Sequence, residues 1–287
     1  MKRMVASLSG VPLLAAVLFA QDLPHATVAH GGFAFPDADG TRLMVLSAPD
    51  RPLGLQLEDR DFLAATAAMN TAFCAGGATH PVEFAGHQAS DGKGSFRQTT
   101  RQFPHLDGFV FRLKSHDRLQ ENETCFVAAD VFTRSVIRLA LDQPDRAVQC
   151  APGSAERIAA VRGRGVTHCW TRAREAAPGG VSVLLAEFVR QGTSALASLV
   201  VVDGDRLTFS DMPGNYTREG GLSVWRIEDE GTFDPHHFRV VLLARRGAAL
   251  VLATSWAGAE GTVLGLSQSD GDLFRPIILD SWYQAPM

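Results

Sequence analysis

The sequence predicts a mainly β protein, α+β overall, with an antiparallel β-sandwich or barrel in its C-terminal part and a small helix-plus-antiparallel-sheet N-terminal part. Three observations carry that prediction. Val181 to Phe209 (VSVLLAEFVRQGTSALASLVVVDGDRLTF) reads as three successive antiparallel strands, broken at Gln191-Gly192-Thr193 and turned at Asp203-Gly204-Asp205. Asp and Gly both tolerate the positive φ of a tight hairpin turn. From residue 151 onward, short apolar runs recur at roughly ten-residue spacing between Gly, Asp or Pro turns, the rhythm of a sandwich or barrel. Strand–helix alternation is missing there, which argues against a doubly wound parallel sheet.

Taken in order, the chain opens with Lys2 and Arg3, an apolar run Val11 to Ala20 (VPLLAAVLFA), and a small residue before Gln21. This is the pattern of a secretory signal peptide over residues 1–20. The run is about half of the ~20 residues that a spanning helix needs, so no membrane span is expected in the mature chain. Removing 20 of 287 residues leaves 267, the upper end of one domain or enough for two. Removing Lys2 and Arg3 takes 27 basic side chains to 25 against 31 acidic, a net charge of −6. Nucleic acid and anionic membranes select clustered positive charge, so neither is an expected partner. Lysine occurs only at positions 2, 93 and 114, so the positive charge is mostly arginine, a GC-rich codon choice. Together these readings predict a bacterial periplasmic or secreted protein.

Four cysteines, Cys74, Cys125, Cys150 and Cys169, favour two disulfides in an exported chain, with three connectivities open. Pairing Cys74 with Cys125 and Cys150 with Cys169 ties neighbouring segments and is the expected choice. Their spacing is far too wide for a four-cysteine zinc site.

Residues 21–32 are polar and aperiodic, a flexible lead-in, and the fold is expected to start near Phe33. Pro36 to Gly40 reads as a turn and Thr41 to Ala48 as a strand. Asp37 and Asp39 do not make a calcium loop, because Leu46 stands where that loop needs Glu. Asp59 to Cys74 has the caps and the apolar spacing (Phe62, Thr66, Met69, Phe73) of a helix. His80 to Gly94 reads as a loop, and Ser95–Phe103, Gly108–Ser115, Thr124–Thr133 and Ser135–Leu141 as strands; Phe109, Phe111 and Leu113 share one face. The helix and meander of 59–141 resemble cystatin-like folds in element order, which carries no functional residue across. Asp142 to Ser154 is the expected boundary between a 33–150 part and a 151–287 part. Beyond it the expected strands are Arg157–Arg162, Gly165–Arg174, the three opening strands, Leu222–Ile227, His237–Arg245, Ala248–Trp256, Thr262–Ser267 and Phe274–Leu279.

The chemistry-bearing stretches are few. Asp234-Pro235-His236-His237 offers imidazole and carboxylate ligands suited to zinc, copper or nickel, although adjacent histidines on a strand face apart. His168-Cys169 sets a base beside a thiol, but a bridged Cys169 is no nucleophile. Asn215, Tyr216, Trp225, Trp256 and Glu260 fall around turns of the C-terminal sheet, where tryptophan stacks on ligands and Glu260 accepts hydrogen bonds. The motifs G-x-S-x-G, H-E-x-x-H, G-x-x-x-x-G-K-[ST] and G-x-G-x-x-G are absent. Expected, then, is an exported non-catalytic binding or envelope-assembly module with no cofactor, taking a protein, small-molecule or saccharide ligand. The alternatives are a secreted hydrolase acting on saccharide or peptide, and a periplasmic metal-binding protein using Asp234, His236 and His237.

Overall fold

The computed structural model describes residues 31–46, 60–74, 77–95, 97–121, 123–129, 135–140, 148–177, 179–216, 222–223, 234–258 and 260–284. They form a mainly β fold with few helices, as the hydrophobic patterning requires.

Six strands make a closed barrel: β1 (Gly31–Pro36), β2 (Arg42–Leu46), β3 (Met69–Cys74), β4 (Ala78–Gln88), β5 (Gly108–Leu113) and β6 (Cys125–Ala129). Their spatial order is β1-β2-β5-β4-β3-β6, with β6 returning to β1, and every pair is antiparallel. Closure leaves no edge to pair with another chain. Period-two alternation splits the apolar residues into two sets. Ala34, Leu43, Val82, Phe109, Phe111 and Val127 fill one cluster, whereas Phe33, Phe35, Met44, Phe73, Val110 and Phe126 turn to a second one outside the barrel. The turn after β1 is held by Asp37, whose carboxylate accepts from the backbone of Thr41 and Arg42 and from Arg42 Nε at 2.7 Å.

The large sheet holds β7 (Leu139–Ala140), β8 (Val148–Gln149), β9 (Val166–Glu175), β10 (Ser182–Phe188), β11 (Ser194–Asp203), β12 (Arg206–Tyr216) and β13 (Leu222–Ser223). It continues with β14 (Phe238–Arg246), β15 (Ala249–Ala257), β16 (Gly261–Asp270) and β17 (Leu273–Tyr283). Its order is β14-β15-β16-β17-β12-β11-β10-β9-β7, two antiparallel meanders joined by one parallel pairing, Phe209 with Leu273. Residues 135–140 connect its two ends. Ile137 N–H donates to Leu243 O and Arg245 N–H to Ser135 O on β14, while Leu139 pairs with Glu175 on β9. The sheet thereby curls on itself, and Trp170, Leu185 and Leu199 of one meander pack with Phe238, Leu243 and Leu252 of the other.

The outer face of β14–β17 (Val241, Leu242, Val251, Leu264, Leu266, Trp282) shares a single cluster with the barrel's outward phenylalanines. On the far side, helix α2 (Ser154–Arg162) lays Ile158 against Leu184, Phe188 and Phe209. The stacking order is therefore barrel, one half of the sheet, the other half, and α2.

Several expected elements differ. The helix expected over 59–74 stops early: α1 spans Arg60–Ala67, and Met69–Cys74 becomes β3, because it finds strand partners on both sides in β4 and β6. Residues 80–88 are a strand, β4, rather than a loop; a bulge at Ala85, between Phe84 and Gly86, accommodates the glycine at φ 129°. No strand forms over 95–103 among the described residues, which instead lead to a 3-10 turn, Phe103–His105. Residues 157–162 are helical, not extended, since α2 needs only Ala155 and Ile158 on its buried side. β1 starts at Gly31, two residues inside the expected lead-in. The chain has joined the large sheet by Ser135, ahead of 142–154. The cystatin-like order is replaced by a closed barrel, because β1 and β2 precede α1 and complete the ring. Both disulfides form as expected, Cys74–Cys125 between β3 and β6 and Cys150–Cys169 beside β8 and β9.

Candidate ligand-binding site

Several of the buried polar atoms that lack partners belong to residues around the start of β14. Asp234-Pro235-His236-His237 forms a 3-10 turn over Pro235–His237, which proline at its first position favours. Asp234 caps it, accepting from the His236 backbone N–H at 2.7 Å, and the same oxygen lies 2.7 Å from His236 Nδ1. Partial burial pushes the Asp234 carboxyl up, but the His236 backbone and ring bonds, with the nearby His236 and His237 charges, outweigh it and hold it below the usual range. A carboxylate only accepts, so Nδ1 carries the proton of this contact, and the other ring nitrogen is Nε2. That Nε2 is buried and has no hydrogen-bond partner.

The second contributor is Arg172 on β9. Strand β10 pairs Val183 with Ala173 and then Leu184 with Thr171, so Arg172 is the extra residue of a β-bulge. Bulges re-aim side chains, and this one sends a guanidinium inward. Arg172 is 7% exposed. Its Nη2 donates to Phe238 O, the first carbonyl of β14, at 2.8 Å, while Nε and Nη1 have no partner. Burial lowers the Arg172 pKa, as does the charge of Arg239, and Asp234 acts in the opposite direction.

Trp256 is the third. It pairs with Phe238 in the β14–β15 register, the two rings lie 6.3 Å apart, and β15 packs against the 3-10 turn. Its indole N–H is also buried and unpartnered. Four buried polar atoms on three residues that neighbour Phe238 therefore lack a hydrogen bond: His236 Nε2, Arg172 Nε, Arg172 Nη1 and Trp256 Nε1. Each such group costs about 1–3 kcal/mol, and most buried polar groups in folded proteins are paired. On the solvent side, the Asp234 and His236 side chains are 33% and 39% exposed.

The structure thus unites residues that the sequence assigned to separate chemistries, Trp256 to ligand stacking and Asp234 and His236 to metal. It does not assemble a metal site there: among the described residues no three His, Cys, Asp or Glu side chains converge. His237 is the last residue of the turn. Tyr216 is engaged elsewhere, under the guanidinium of Arg190 at 4.1 Å, and Glu260 sits exposed in the β15–β16 turn. Trp225 lies outside the described residues. Cys169 is bridged to Cys150, and His168 pairs with Glu187 at 2.8 Å while stacking on Trp170.

A separate cavity of about 490 Å³ opens between the barrel and β14, where residues 136–139 peel away from β14 toward β9. Phe73, Thr79, Arg138 and Leu242 are among its lining residues.

No protein-family model, curated protein or solved structure matches the chain at a significant level.

Proposed function

We propose that this is an exported binding protein, delivered by residues 1–20 and holding a ligand, without catalysis, at the Arg172–His236–Trp256 site. The observation that carries this is the cluster of four buried, unpartnered polar atoms around Phe238. A ligand bringing its own hydrogen-bonding groups removes their desolvation penalty, so the cluster costs stability when empty and contributes affinity when filled. The supports are ordered elements: a bulged strand, a capped turn and the end of a paired strand. The two disulfides suit an oxidising compartment.

A hydrolase is the second reading, favoured by one observation, the 2.7 Å Asp234–His236 contact that orients an imidazole as a general base does. Such a base needs a nucleophile, and among the described residues no hydroxyl or thiol meets His236 Nε2. The described cysteines are all bridged.

Intact mass of protein from its own exported fraction, native against denatured, tests the proposal. An excess in the native mass that disappears in Trp256→Phe is the expected result. Equal masses, with turnover of a saccharide or peptide substrate abolished by His236→Ala, would replace binding with hydrolysis.

A further inference from the structure

Resting on the binding reading above, we infer that the ligand presents an oxyanion, a carboxylate or a phosphate-type group, to the buried guanidinium of Arg172. The inference starts from counting donors. A guanidinium carries five N–H groups, and Arg172 uses one, from Nη2, on Phe238 O. Nη2 has two protons, one beside the Nε–H and one beside an Nη1–H. Whichever one serves Phe238 O, a two-pronged face remains, Nε with Nη2 or Nη1 with Nη2, and both Nε and Nη1 are unpartnered. A parallel pair of N–H groups matches two oxygens of one carboxylate or phosphate, and a neutral carbonyl or hydroxyl fills only half of it.

Charge balance points the same way. Removing a cation from water without a counter-ion costs several kcal/mol. Among the described residues the carboxylate whose charge acts on Arg172 is Asp234, but it makes no hydrogen bond to Arg172; it is turned to the His236 backbone and ring, while Arg239 adds a second positive charge. Among the described residues no carboxylate is hydrogen-bonded to this cation, which is 93% out of solvent, the complement of its 7% exposure. A plain structural clip to Phe238 O needs only one N–H, which a lysine or a neutral donor supplies without burying a guanidinium. Trp256 N–H adds a neutral donor for the same ligand, and His236 Nε2 adds a further buried polar atom without a partner.

The test titrates the full exported chain, followed by calorimetry, with sodium acetate, inorganic phosphate and neutral acetamide at constant ionic strength. Saturable binding of acetate or phosphate, with acetamide at least tenfold weaker, is expected, and the stronger anion names the source. Arg172→Lys keeps the charge but loses the fork and is expected to weaken the anion by about 100-fold. Trp256→Phe, which removes no buried charge and keeps an aromatic ring, is expected to weaken it several-fold, so the inference stays testable if Arg172→Lys does not fold. Acetamide binding as well as acetate overturns the oxyanion and leaves the binding reading standing. So does the failure of every probe while the native mass excess persists and is lost in Trp256→Phe. Anion binding unchanged in both variants places the anion elsewhere and overturns the inference. Failure of every probe with no native mass excess removes both.

Discussion

At the scale of single residues, the cost of Arg172 to the unliganded protein is itself a prediction. Its guanidinium is buried with one hydrogen bond, so an apolar side chain of similar length is expected to be tolerated in its place. Arg172→Met is expected to leave the unliganded stability unchanged or raise it by about 1 kcal/mol while abolishing ligand retention, the trade-off expected of a binding residue. Urea denaturation checks this; a loss beyond about 3 kcal/mol would make Arg172 a structural clip instead. A second residue-level prediction concerns acid. Arg245 grips Asp203 with two bonds, at 2.7 and 2.9 Å, tying the β11–β12 turn to β14, and these bonds hold the Asp203 carboxyl below its usual range. A depressed folded pKa stabilises above the unfolded value of about 3.9, and that contribution is lost as pH falls through the lower folded value. The side chains are 28% and 49% exposed, so screening keeps the effect below about 1 kcal/mol. The stability gap between wild type and Asp203→Asn is therefore expected to be constant near neutrality and to close in acid.

At the scale of elements, strand geometry sets the tolerances. Gly261 opens β16 against Trp282 on β17, and a Cβ there would lie 1.9 Å from the Trp282 carbonyl oxygen. Backbone cannot yield as a side-chain tip does, so Gly261→Ala is expected to destabilise by about 1–3 kcal/mol. Gly265 on the same strand meets only Thr254 Oγ1, at 3.2 Å, so Gly265→Ala is expected to cost less. Thermal midpoints of the two variants compare them directly. The strands of the two meanders were legible because Asp-Gly turns and apolar runs specify them locally. The segment 69–74 was not legible, since Met69 and Phe73 satisfy a helical spacing as well as a strand's, and only β4 and β6 decide between the two. The candidate site was half legible. Asp234, His236 and Trp256 stood out by residue type, whereas Arg172 was only one residue of the expected strand Gly165–Arg174, and its bulge arises from the register with β10.

At the scale of the whole molecule, barrel and sheet share one core. Phe33, Phe35, Phe73 and Phe126 pack with Val241, Leu264 and Trp282, so neither unit buries its apolar face alone. Calorimetry is expected to show a single cooperative transition, and a fragment ending at residue 150 is expected to aggregate rather than fold. The disulfides act within each unit: Cys74–Cys125 spans 51 residues of the barrel, and Cys150–Cys169 spans 19 residues and encloses α2. In the chain-entropy picture their removal costs about 4 and about 3 kcal/mol, respectively. Denaturation of the paired Cys→Ser variants measures both. By itself the sequence determined what is short-range: the β-rich class, the turns, the strand rhythm of residues 181–283 and a cysteine pairing between neighbouring segments. Only the tertiary structure decided that β1 returns to β6 and closes a barrel, that residues 135–140 join the ends of the large sheet, and that Arg172 reaches Phe238. Local patterning sets which face of a strand is apolar, but the strand's partner is chosen by burial over the whole chain, and the site lies where those choices leave polar groups unmatched.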